Sequence, residues 1–180
     1  MPTADAIRWF KDSFADEIEA AVAGTPFDLD MVCAIACQET GFIWNALRRK
    51  GLARDEILRL CVGDVLDAAN GRRAFPTTRA ELLAARDGQR MYEIARKALE
   101  DMAAPFSASR PAAGNPAKFC RGYGIFQYDL QFFRTDPGYF LDAGYADFAI
   151  CVGRCVRELH AAMRRNGWQG LTALGEMEKA

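Results

Sequence analysis

Apolar residues return every three or four positions along most of this chain. That period restricts it to helices that each bury one stripe against their neighbours. Ile7, Phe10, Phe14 and Ile18 mark a first helix to about Ala23, with Thr3 as its cap and Gly24-Thr25-Pro26 at its end. Asp28 or Asp30 caps a second, running through Met31, Val32 and Ile35 to Glu39, where Gly41 is placed to stop it. Ile57, Leu58 and Leu60 predict a third helix over 53–62. Residues 63–76 read as irregular, with turn signals at Gly63-Asp64, Asn70-Gly71 and Phe75-Pro76, and any small hairpin belongs there. Thr77 or Thr78 caps a short helix ending near Asp87-Gly88, and Met91, Ile94, Ala95 and Leu99 predict another over 89–103. Pro105, Pro111 and Pro116 make 104–118 a loop. A long helix from about Ala146 to Arg165 puts Phe148, Cys151, Val152, Cys155, Leu159 and Met163 on one face, and a short helical pattern follows Leu171. The expected fold class is all-α, mainly helical with at most a small β-hairpin, in one domain over 1–180.

With 180 residues, 51% of them apolar, the chain can build one well-buried core. No apolar run approaches the roughly 20 residues that span a bilayer, so no membrane span is expected. Met1-Pro2-Thr3-Ala4-Asp5 is polar and acidic, unlike a signal peptide, which points to a chain made in the cytoplasm. A net charge of −1 offers no electrostatic basis for binding nucleic acid. The cysteines Cys33/Cys37 and Cys151/Cys155 are spaced four apart, so each pair shares a helix face. Four thiolates on facing helices could hold a metal, but buried, reduced thiols are the expectation, with no metal and no cofactor. His160, the single histidine, lies beside an apolar stripe, and no serine or cysteine motif supports a hydrolytic triad. Asp64 and Asp67 read as turn residues or a spare carboxylate, and Arg72-Arg73 as a solvated pair or a partner for acidic substrate groups.

The chemistry concentrates in two stretches. Ile35-Ala36-Cys37-Gln38-Glu39-Thr40-Gly41-Phe42 ends an apolar helix with a lone carboxylate on the face of Val32, Ile35 and Ala36. At a helix C-terminus the dipole opposes that charge, and apolar neighbours raise its pKa, as a general acid requires. Gly122-Tyr123-Gly124-Ile125-Phe126-Gln127-Tyr128-Asp129 is a glycine-hinged aromatic turn. Its glycines allow close backbone approach to a ligand, its aromatics suit sugar rings, and Gln127 and Asp129 project to one side of an extended chain.

The order of these motifs resembles the lysozyme-like superfamily, in particular the lytic transglycosylases and goose-type lysozymes. There a catalytic glutamate is followed by Ser or Thr and often Gly, and a Gly-Tyr-Gly-Leu-Met-Gln-like strand lines the cleft. The resemblance implies a lysozyme-like fold and cleavage of the MurNAc–GlcNAc β-1,4 bond of peptidoglycan glycan strands. It implies Glu39 as catalytic acid, Asp129 as a second catalytic carboxylate, and Thr40, Tyr123, Gly124 and Gln127 as substrate-binding residues. Two departures stand out. The spacing between the motifs makes 50–118 a helical insertion, and the family's later Ala-Tyr-Asn motif is missing, as if the usual C-terminal helix were lacking. The rival is a weak or inactive glycan- or protein-binding module of the same fold. An exposed apolar groove near Glu39, open to self-association, is the structural expectation.

Overall fold

The computed structural model describes residues 2–168, and the helical pattern expected after Leu171 lies outside them. Helix α1 (Ala4–Val22) is capped by Thr3, whose hydroxyl accepts from the Ala6 amide, and it buries Phe10, Phe14 and Ile18 as the periodicity requires. Helix α2 (Leu29–Arg49) starts at Asp28, whose carboxylate accepts from the Met31 amide at 2.8 Å. It does not stop at Gly41. The helix continues for two more turns because Trp44 and Leu47 resume the buried stripe. Gly41 serves packing instead: a Cβ there would sit 2.7 Å from Pro2 Cγ, so only glycine lets the N-terminal segment cross the helix. Trp44 stacks on Trp9 and donates its indole N–H to the Ala36 carbonyl.

Helix α3 (Arg54–Leu60) leads into β1 (Val62–Gly63), followed after the 63–76 segment by α4 (Arg79–Leu83) and α5 (Gly88–Ala103). Residues 104–118 are not a plain loop; they contain a 3-10 turn and the short α6 (Arg110–Ala113). The expected hairpin at 63–76 is also displaced. The hairpin is β2 (Gly122–Tyr123) and β3 (Tyr128–Asp129), and β1 joins it as the outer strand of an antiparallel sheet ordered β1-β2-β3. Turn chemistry marked 63–76 correctly as irregular, but strand pairing is long-range and only the fold brings Val62 opposite Tyr123. The last helices of the described residues are the short α7 (Pro137–Leu141) and the long α8 (Phe148–Asn166), which ends at Gly167 with φ +67°.

The described residues are thus mainly helical, eight α-helices around a minimal sheet. One apolar core joins α1, α2, α3 and α8, where Phe14 and Phe148 stack with centroids 4.0 Å apart. A second surrounds α5, the sheet and α7, with Tyr123, Phe133 and Phe140 at its centre. Phe126, at the tip of the hairpin, packs against both, so the hairpin is wedged between the two halves. Residues 50–118 supply α3 to α6 and the first strand. Among the described residues no helix is long and apolar enough to cross a membrane.

Candidate active site

A cleft of about 550 Å3 opens between α2, the 126–132 segment and α8. Ile35 and Glu39 come from α2, one turn apart on the same face. Cys151, Cys155, Glu158, Ala162 and Arg165 come from α8, again at three- and four-residue spacing. Phe126, Gln127, Tyr128, Asp129 and Phe132 line the remaining wall, with the Tyr128 and Phe132 rings stacked 4.6 Å apart.

Glu39 lies midway along α2, not at its end, so the dipole argument loses force there. What acts on the carboxyl is burial. Glu39 remains solvent-accessible, but the cleft walls partly desolvate its carboxyl, and this alone holds its pKa above the ordinary carboxylate value. Its accessibility keeps that shift moderate. Among the described residues no hydrogen bond or ion pair engages the Glu39 carboxyl.

The neighbouring Thr40 is buried and turned away from the cleft. Its hydroxyl donates to the Ile125 carbonyl at 2.6 Å, tying α2 to the hairpin tip 85 residues later. Tyr123, expected against substrate, is fully buried: its hydroxyl donates to the Cys120 carbonyl and its ring packs edge-on to Phe140 and Tyr145. Gly124 adopts φ +77°, and a Cβ there would meet the Tyr139 hydroxyl at 2.6 Å and Cys151 Sγ at 2.7 Å. Its freedom serves the turn and the core, not the approach of a ligand. Gln127 lines the cleft, but its amide folds back to donate to the carbonyls of Gly124, at 2.9 Å, and Cys61, at 3.3 Å. Gln127 has φ +51° in a tight turn, not the extended backbone that alternation assumes, and this turns its amide back.

Asp129 also reaches the cleft, and it is held. Its Oδ1 accepts from Arg72 Nη2 at 2.6 Å and from the Gln131 amide at 2.7 Å. Arg72 is far from the solvated residue expected. Its side chain is 8% exposed and its guanidinium spans Asp64, Asp129 and the carbonyls of Ala74 and Phe75, locking the 64–76 segment onto the hairpin. Arg73 is exposed, as expected. Arg121, which no motif marked, is completely buried; it donates to the Pro76 carbonyl and its Nη2 has no partner among the described residues. Glu158 on α8 was equally silent in the sequence, since its helix was read for its apolar stripe. Only the fold places it on the cleft wall.

A larger groove of about 1060 Å3 runs between the start of α1 and another face of α2, past Cys33, Cys37 and Phe42, and Glu39 is not among its walls. Phe42 is 80% exposed. All six cysteines are free thiols, and among the described residues no cluster of ligands could hold a metal. Burial pushes the Cys33, Cys120 and Cys155 thiols up to about 12. His160 packs edge-on against Phe27. No family model matches this sequence, no curated protein matches it, and no solved structure matches it.

Proposed function

We propose that this chain is a lysozyme-like glycosidase, a lytic transglycosylase or muramidase, that cleaves the MurNAc–GlcNAc β-1,4 bond of peptidoglycan. The observation that carries this reading is Glu39: a carboxyl with a raised pKa and no partner among the described residues, in a concave cleft shared with residues 126–129 of the hairpin. A carboxyl whose pKa is raised holds its proton to higher pH and can give it to the departing sugar oxygen. In transglycosylation Glu39 then takes the proton of the muramic 6-hydroxyl as that oxygen closes an anhydro ring. In hydrolysis a second carboxylate must activate water on the other face of the sugar. Phe126 and the Tyr128–Phe132 stack supply flat apolar surface for sugar rings.

The second reading, a glycan-binding module with weak or no turnover, has one observation in its favour. Tyr123 and Gln127, the polar groups that the motif would aim at substrate, are turned inward. Purified sacculi incubated with the chain, followed by mass spectrometry of soluble fragments, separate the two. Released muropeptides that disappear with Glu39→Gln are the expected result. Bound but uncut glycan favours the module, and equal release by both proteins rules out the acid role.

A further inference from the structure

We infer that Glu158 is the catalytic base of this cleft, so that the chain cleaves glycan by hydrolysis with inversion at the anomeric carbon. The inference rests on Glu39 being the acid and names its partner. Glu158 is half-buried on α8, three residues after Cys155, on the face that continues through Ala162 and Arg165 along the cleft wall. Glu39 stands on α2, so the two carboxyls enter the same cleft from different helices. Cys155 lines the same cleft, and after burial the charges of Glu39 and Glu158 both help raise its thiol's pKa.

The other candidate is committed elsewhere. Asp129 Oδ1 accepts from Arg72 and from the Gln131 amide, so its charge already balances a buried guanidinium. Removing a proton from water would cost Asp129 that partnership. Glu158 makes no hydrogen bond or ion pair among the described residues. The arginines nearest it along α8 are drawn off: Arg154 pairs with Asp136 at 2.6 Å and Arg157 with the same carboxylate at 3.4 Å. Asp136 therefore leaves Glu158 available to water. The cleft also has room for a sugar and a water, and aromatic rings beside Glu158 for the sugar to lie against.

In the step itself, Glu158 takes one proton from water while the water oxygen bonds to the anomeric carbon. The bond from that carbon to the bridging oxygen breaks, and Glu39 delivers its proton to that oxygen. A β-linked strand yields an α-hemiacetal, and proton exchange with solvent resets both groups. Inverting pairs stand about 6.5–9.5 Å apart to admit the water.

The test is digestion of glycan strands by the full chain in 18O-water, with mass spectrometry and NMR of the new reducing ends. Incorporation of 18O in an α product is expected. Glu158→Ala should lower kcat by about 10²–10⁴-fold with little change in KM. Azide should restore turnover to that variant by forming an α-glycosyl azide, which a structural defect would not allow. Glu158→Gln, matched to wild type in melting temperature, should lose turnover equally. Anhydro products without 18O, or wild-type rates in both variants, overturn the inference and leave Glu39 as the acid. Failure of the wild-type chain to cut glycan at all overturns it together with the proposed function.

Discussion

Thr40→Val tests the link that builds the cleft, independently of any activity. The Thr40 side chain is 2% exposed, and its hydroxyl donates at 2.6 Å to Ile125, the residue at the hairpin tip. Valine has nearly the same volume, so no cavity forms; what is lost is the hydrogen bond. The Ile125 carbonyl stays buried without that donor, at a cost of about 1–3 kcal/mol. With about 2 kcal/mol as the central value, a chain of this size should melt about 4–8 °C lower. Thr40→Ser keeps the hydroxyl and removes one buried methyl, at about 1 kcal/mol, so it should melt between wild type and the valine variant. Calorimetry gives the order, and amide exchange locates it: residues 124–127 should exchange faster in the valine protein and not in the serine one. A valine variant as stable as wild type, or less damaging than serine, would refute the claim that this bond pins the hairpin to α2.

Replacing Arg72 with alanine leaves Asp64 and Asp129 without their shared cation and should cost about 3–5 kcal/mol in urea titration. Arg72→Lys should recover little, since one ammonium cannot reach four acceptors. Glu39 carries a pKa raised by burial, so its contribution to stability is fullest below the unfolded pKa and is lost as pH rises through the folded one. Glu39→Gln should therefore match wild type in melting temperature at pH 3 and equal or exceed it at pH 7; a lower value at pH 7 would contradict the desolvated carboxyl. In folded protein at pH 8, a thiol reagent should find five silent cysteines and a slow Cys37, the one that is only half-buried, with all six reacting in denaturant. Rapid reaction of the folded set, or one equivalent of bound zinc, would overturn that assignment.

Where a signal is local, it was legible. Thr3, Asp28 and Thr78 cap the helices they were expected to cap, and the buried stripes of α1, α5 and α8 follow their three- and four-residue spacing. The errors fell where a distant segment decides. Gly41 looks like a stop signal unless Pro2 is known to cross above it. Gln127 looks free to offer its amide to a ligand unless that amide is known to find the Cys61 carbonyl. Arg72 looks solvated until Asp64 and Asp129 are seen around it.

By itself the sequence determined that this chain is helical and where Glu39 falls relative to a glycine-aromatic turn, because period, caps and turn residues act within a few positions. Only the tertiary structure decided which side chains share a cleft. Thr40, Tyr123 and Gln127 were drawn into holding the hairpin, Asp129 was tied to Arg72, and Glu39 and Glu158 were left unpartnered within the described residues. That division depends on contacts between residues tens of positions apart. Buried donors and acceptors there must find partners, and which ones do so is set by packing, not by spacing along the chain.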